Sequence, residues 1–462
     1  MQDYVITEAT SNKDLDAIQI DVLSNDNLDY FHLHNKKEEV NGVFDANIHA
    51  YLTNRENIFF VNETPYIYEN GKYIRDNDGS ILMTMIKKLI YPQYQKITTI
   101  KRVYGLFEAD KWLKKSIDEL NNYPKEWVMF KNVAYNARTR EVIQHDSKYL
   151  ALNQIPHDYD PSATPKCEKI NQWLDSIMSP EDKEMLLQYA GLCMTRDTSQ
   201  QKFLMFTGEG GTGKSLIIRL ITSMVGYKNT ASIDLKSLAD NRFAKFNLLH
   251  KLLNCCADID STALNSIASI KLLTGEDPIE GEAKGKQSIT FMNYAKLMFS
   301  ANEIPRIKGE HTNAFYRRLL VIRLSKKPEK VNPNLYQELS SELDGFIHLC
   351  MDALYRLYQN GNIAESTNSK NETYKLRLFS DSVELFLHDK TVKDYNGKIP
   401  GKDLHNEYKK YCEENELTPV QKQTFFKACD DKGFSHADGR NVKGLIWKPS
   451  DFETANEEIP FE

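Results

Sequence analysis

The segment Gly208-Glu209-Gly210-Gly211-Thr212-Gly213-Lys214-Ser215 constrains this chain more than any other. It follows an apolar run, KFLMFTG, and leads into SLIIRLITSMVG. A short apolar run ending in glycine reads as a buried parallel strand, and the stretch after the loop reads as a helix closed by Gly226. Strand, glycine-rich turn and helix in that order predict a P-loop. Glycines let backbone N–H groups close around phosphate oxygens, and a helix N-terminus adds a field that favours anions. The expected ligand is a nucleoside triphosphate, ATP, with Mg²⁺. Lys214 is expected to reach the terminal phosphates and the Ser215 hydroxyl to ligate the metal.

A P-loop needs a metal-orienting carboxylate on a neighbouring strand. KLLNCCADID (251–260) supplies an apolar run ending in Asp258 and Asp260. Asp258 is the expected Mg²⁺ ligand and Asp260 the residue that positions the attacking water. A third run, AKLMFSANEIP, ends in Asn302 and Glu303; Asn302 is placed to sense the terminal phosphate or orient water, with a cap on the strand end as the alternative. Arg317 and Arg318 precede the strand-like LLVIRL. A paired arginine there suits a finger that stabilises charge developing on the transferred phosphoryl group. A surface or structural ion pair is the alternative for one of the two.

Strands and helices alternate through this region, which predicts an α/β core with a mostly parallel sheet. We divide the chain into an α+β N-terminal region (1–165), the nucleotide-binding region with its preceding helices (166–360) and a C-terminal module (375–450). In the first, ADKWLKKSIDELNN (109–122) predicts an amphipathic helix and 127–145 reads as strand, turn, strand. HDYDPSATPKC (157–167) and the polar GNIAESTNSKNETY (361–374) are expected to be linkers. SPEDKEMLLQYAGLCM predicts a helix capped by Ser179 with Pro180 at its first position.

The C-terminal module has the rhythm of a winged helix, with helices in 380–390, 400–415 and 418–433. A wing hairpin is expected to turn at Asp438-Gly439. Lys422 and Gln423 sit where a recognition helix meets base edges, and Arg440 and Lys443 lie on the expected wing. Protein contact is the alternative use of such a module. Between the second and third core strands, KLLTGEDPIEGEAKGKQSITF (271–291) predicts a β-hairpin with Lys284 and Lys286 near its tip. Lysines there, with Lys271 as a further candidate, would contact phosphates without reading sequence.

The net charge of −6 excludes a uniformly basic coat but not a local basic stripe. The seven cysteines form no C-x-x-C, so reduced thiols in a cytoplasmic protein are expected. The polar, acidic start does not read as a signal peptide, and no apolar run approaches membrane-span length, so no membrane partner is expected.

The order GEGGTGKS, CCADID, KLLTGEDPIEGEAKGKQ, LMFSANEIP and YRR resembles the superfamily 3 DNA helicases, most closely their phage, plasmid and poxvirus primase–helicase branch. The resemblance covers about 180–330 strongly and extends more weakly into the N-terminal region and the C-terminal winged helix. It implies an AAA+-like core that assembles as a homo-hexameric ring and translocates 3′→5′ on single-stranded DNA. It also implies active sites between subunits, with Arg317 or Arg318 acting on a neighbour's ATP. The expected activity is that of a replicative helicase and initiator of a phage or mobile genetic element in a bacterial host cytoplasm, with a primase or other replication protein as a further partner. The alternative is an origin-binding ATPase whose nucleotide cycle controls assembly. Two departures stand out: the acids read Asp-Ile-Asp instead of an adjacent pair, and the N-terminal part lacks evident primase metal motifs.

Overall fold

The computed structural model describes residues 28–257, 268–282, 288–303, 313–415, 417–436 and 439–449. The N-terminal region opens with a short hairpin, β1 (His32–His34) and β2 (Val40–Val43), then α1 (Asp45–Arg55). A meander follows: β3 (Ile58–Val61), β4 (Thr64–Glu69) and β5 (Lys72–Arg75). Asn70 and Gly71 join β4 to β5, both at positive φ, the geometry whose twist matches paired strands. Helices α2 (Ser80–Lys88) and α3 (Ile97–Ala109) pack their apolar faces onto α1 and the meander around Phe31, Phe60 and Phe107.

The helix expected over 109–122 does not form. α3 ends at Ala109, and two single 3₁₀ turns, 111–113 and 117–119, take its place. Asp110 caps the first by accepting the Trp112 N–H. The chain then extends at Lys114, and the Lys115 N–H donates to the Phe60 carbonyl at 2.9 Å. The backbone bond to β3 therefore wins over helix propensity. The expected strand-turn-strand appears as a second meander, β6 (Trp127–Met129), β7 (Ala134–Asn136) and β8 (Val142–Ile143). The segment 157–167 is packed, not a spacer. Tyr159 is buried, its ring stacked 4.4 Å from that of Phe130 and 4.6 Å from that of His348.

Helices α4 (Glu168–Ile177) and α5 (Pro180–Leu192) lead into the core. Ser179 caps α5 as expected, accepting the Asp182 N–H, with Pro180 at the first position. The core strands and helices run β9 (Phe203–Thr207), α6 (Lys214–Val225), β10 (Thr230–Ala231), α7 (Leu235–Asp240), α8 (Arg242–Phe246), β11 (Leu253–Cys256), α9 (Ala268–Thr274), the hairpin β12 (Pro278–Gly281) and β13 (Ile289–Met292), β14 (Lys296–Ser300), α10 (Asn313–Tyr316) and β15 (Leu319–Arg323). Five strands form one parallel sheet in the order β10-β11-β14-β9-β15. Every residue of β9 and β14 is buried, as a sheet covered on both faces requires. Alternate side chains serve two cores. Leu204, Phe206, Met298 and Leu320 face α5, α6 and the long helix α12 (Leu343–Asn360), which follows the short α11 (Leu335–Ser340). Phe203, Met205, Leu297 and Val321 face α7, α9 and α10. These features fit an α/β P-loop-like core.

The linker expected over 361–374 is instead mostly helix α13 (Thr367–Ser380). Its contacts are polar, which is why its composition misleads. Ser366 caps it by accepting the Ser369 N–H at 3.0 Å. The buried Ser369 hydroxyl accepts the N–H of Val321 at 3.0 Å, satisfying the outer edge of β15.

Beyond it lie α14 (Ser382–Lys390), β16 (Thr391–Pro400), α15 (Gly401–Glu414), α16 (Lys422–Asp431) and β17 (Asn441–Trp447), around an aromatic core of Phe386, Tyr408 and Phe425. The three helices match the expected rhythm. The strand partner does not: β17 pairs antiparallel with β16, not with a neighbour across Asp438-Gly439. β16 carries few apolar residues and bulges over 394–397, so it lacks the alternation that announces a strand.

The N-terminal region is docked on the core. Tyr66 Oη and His250 Nε2 are 3.1 Å apart, Asn153 Nδ2 donates to Asn229 Oδ1 at 3.1 Å, and Lys125 pairs with Glu276 at 2.7 Å. Burial pushes the His250 imidazole down to about 3, so it stays neutral in this contact.

Candidate functional site

The glycine-rich segment 208–213 connects β9 to α6, strand to helix in the expected order. Gly208, Gly211 and Gly213 take φ of 129°, 83° and 102°, a region that favours glycine. A Cβ on Gly208 would lie 2.0 Å from the Leu324 carbonyl oxygen, so this glycine also answers to the end of β15. A Cβ on Gly210 or Gly211 would meet nothing within 4 Å, which leaves the mouth of the loop open. The Thr212 hydroxyl donates to the Glu209 carbonyl at 2.9 Å and closes the turn.

Lys214 is 5% exposed, and its ammonium is folded into the loop. It donates to the carbonyls of Gly208 and Glu209, the latter at 2.9 Å, and stands 3.5 Å from Asn302 Oδ1. Asn302 follows β14, and its carbonyl accepts the Gly208 N–H at 3.3 Å. Two residues far apart in sequence therefore meet because their strands are sheet neighbours. Ser215 is exposed in the first turn of α6. An open glycine cradle, a helix N-terminus, an ammonium and a hydroxyl meet here, a set of groups that could hold a phosphate and its metal ion. Asp258 and Asp260 lie outside the described residues; β11 ends at Cys256, level with Phe299 of β14.

Arg317 and Arg318 stand at the other end of the sheet. Leu319 is level with Phe203, and Arg323 with Thr207 just before the loop. Four residues of strand separate the two ends, roughly 13 Å at ~3.3 Å per residue. Arg318 is 9% exposed, and its guanidinium donates to the Ala314 carbonyl at 2.6 Å. Burial, with Arg317 beside it, lowers its pKa. Arg317 is exposed. The fold thus brings Lys214 and Asn302 together and keeps both arginines away from the P-loop of their own chain.

Sequence reasoning missed Lys327. Its ammonium pairs with the Glu209 carboxylate at 2.6 Å and holds that carboxyl below its usual range. The signal was an acid inside an anion cradle, which calls for a counter-charge. Also unanticipated is Lys296 at the start of β14, buried and donating to the carbonyls of Thr195 and Tyr294. Burial pushes it down to about 8.

The hairpin forms as expected. Gly281 pairs with Ile289, and a Cβ there would meet the Phe246 backbone at 2.9 Å. Lys284 and Lys286, in the connection, lie outside the described residues. Lys271 is half-buried on α9. In the C-terminal module, Lys422 and Gln423 are exposed in the first turn of α16. The Arg440 carbonyl accepts the Gly401 N–H, and Lys443 sits directly opposite Lys398. Like charges placed opposite each other on a ladder cost stability.

Two stretches of the chain match known families. Residues 48–179 match the family described as "D5 N terminal like", and 206–318 match a family of unknown function, DUF5906. A protein of Acanthamoeba polyphaga mimivirus, described by name as a helicase, is 25% identical over 398 residues. That alignment covers 78% of this chain, which spans only 40% of the relative's length. The apo C-terminal region of NrS-1 shares the fold in two structures. One has a TM-score of 0.50 at 13% identity, covering 86% of this chain and 98% of that one. The other has a TM-score of 0.50 at 15% identity, covering 78% and 88%. Among the described residues, no helix is long and apolar enough to cross a membrane.

Proposed function

We propose that this chain is the ATP-hydrolysing motor of a replicative DNA helicase, an AAA+-like protein of superfamily 3 that acts as a homo-hexameric ring translocating 3′→5′ on single-stranded DNA. The observation that carries the reading is the meeting of Lys214 and Asn302 in an open glycine cradle at one end of a parallel sheet. The backbone N–H groups of 208–215 hold the phosphates. Lys214 exchanges neutral carbonyls for charged phosphate oxygens, a stronger class of hydrogen bond. Mg²⁺ neutralises phosphate charge when bound, held by Ser215 and Asp258, while Asp260 and Asn302 orient the attacking water.

The sheet order supports the AAA+-like reading, and the distance of the arginines supports a shared site. Roughly 13 Å of strand keeps Arg317 from its own P-loop, so it serves a neighbour's. Exposed Arg317 suits that role, while Arg318 anchors the turn before β15. Lys284 and Lys286, with Lys271 as a further candidate, track DNA in the pore. Lys422, Gln423, Arg440 and Lys443 hold DNA outside it, through a winged-helix module. The setting is the cytoplasm of a bacterial host, with a primase or other replication protein as partner.

Lys214→Ala is expected to abolish ATP hydrolysis and strand displacement while leaving the circular dichroism spectrum intact. Normal unwinding by that variant sinks the assignment. The second reading, an origin-binding ATPase that controls assembly without processive unwinding, draws on the exposed Lys422 and Gln423 of the C-terminal module. It predicts ATP hydrolysis without strand displacement.

A further inference from the structure

The C-terminal module holds a feature that its helix rhythm does not announce. α15 and the start of α16 enclose an open cleft of about 540 Å³. Lys402, His405 and Lys409 line it from α15, spaced three and four apart and so on one helix face. Lys422 closes it from the first turn of α16. Glu413, Glu414, Asp430 and Asp431 make this module rich in acid, yet among the described residues none that lines the cleft is acidic. Asp403 and Glu407 of α15 do not line it.

Three further observations point to an anion. Gln421 at the N-cap of α16 gives no side-chain cap, so the first N–H groups of that ten-residue helix have no side-chain acceptor there. His405 is only 5% exposed, and its Nε2 has no hydrogen-bond partner within the described protein. Lys409 and Lys422 both act on its ring and, with burial, lower its pKa. The wall is also held in place. The Val420 N–H donates to Tyr408 Oη at 2.9 Å, and that hydroxyl bonds to Ser382 at 2.7 Å. Three lysines line one cleft, and an anion between them would offset their mutual repulsion.

We infer that the cleft between α15 and α16 is a phosphate-binding site that takes a backbone phosphate of DNA, with Lys402 and Lys409 as contacts alongside Lys422. This rests on the proposed DNA-binding role of the module and adds to it a specific subsite on α15. The lysines make point-charge contacts, and the start of α16 adds backbone donors. Such a contact fixes position on the strand without reading bases.

The test measures binding of the full chain to labelled duplex and to labelled single strand by fluorescence anisotropy across a salt series, with inorganic phosphate as competitor. Lys402→Gln with Lys409→Gln is expected to weaken DNA binding about tenfold or more near 100 mM salt, and to lower the slope of log K against log salt by about 2 on duplex. Lys402→Arg with Lys409→Arg restores both, which separates lost charge from lost structure. Unchanged affinity and slope on both DNA forms overturn the inference, even where inorganic phosphate binds. Lys214→Ala is measured in parallel. Hydrolysis retained by that variant defeats the nucleotide reading and leaves the cleft result standing.

Discussion

Gly208→Ala tests how the P-loop is built. The added Cβ lies 2.0 Å from the Leu324 carbonyl oxygen, where ordinary contact begins at 3.4 Å. The overlap falls on backbone at the end of β15, so no side chain can swing away. The residue also holds φ at +129°, a region that costs an L-residue about 1–3 kcal/mol. Relieving the overlap adds about 1–3 kcal/mol of displaced packing. We expect a loss of about 3 kcal/mol in chemical denaturation without nucleotide, with the loop displaced and ATP binding lost. Gly210→Ala is the control. Its Cβ meets nothing within 4 Å and its φ is not positive, so stability stays within ~0.5 kcal/mol of the parent. Equal denaturation curves for the two variants refute the claim that β15 dictates glycine at 208.

Three further expectations concern charge. Glu209→Gln removes an acid from the cradle and tightens binding of a fluorescent ATP analogue. Lys327→Ala weakens it, and the double variant lies between; a silent Lys327→Ala defeats the charge-compensation argument. Lys296, ordinarily at 10.5, is held at about 8 by burial, so the unfolded chain binds its proton more tightly. Its contribution therefore rises as pH climbs from about 8 to 10.5, by about 2 kcal/mol at about pH 9.5. Urea denaturation of Lys296→Met lacks that rise relative to the parent, and parallel curves for the two proteins count against the burial argument. Arg317→Ala and Lys214→Ala are each expected to be inactive alone. Mixing them restores part of the ATPase, because one supplies the P-loop and the other the arginine; no recovery means the arginine does not act across subunits.

The glycine-rich loop, the strands and helix around it, the cap at Ser179 and the β-hairpin were legible because each depends on near neighbours. Glycine at 208, 211 and 213 permits positive φ wherever the chain goes, and an apolar run flanked by turn residues carries its own pattern. Contacts between distant segments have no such local signature. Helix α13 reads as a polar linker because its job is to satisfy the edge of β15 through Ser369. The stretch at 111–119 gives up helix for a backbone bond to Phe60. β16 becomes a strand only because β17 lies beside it. Order in the sheet decides that Asn302 meets Lys214, that Lys327 reaches Glu209, and that the paired arginines sit at the far end. By itself, then, the chain's sequence determined where a glycine-rich loop opens a helix, since that takes a few residues with set dihedrals. Only the tertiary structure decided which charges surround that site and which stand about one strand length away, because those distances come from packing.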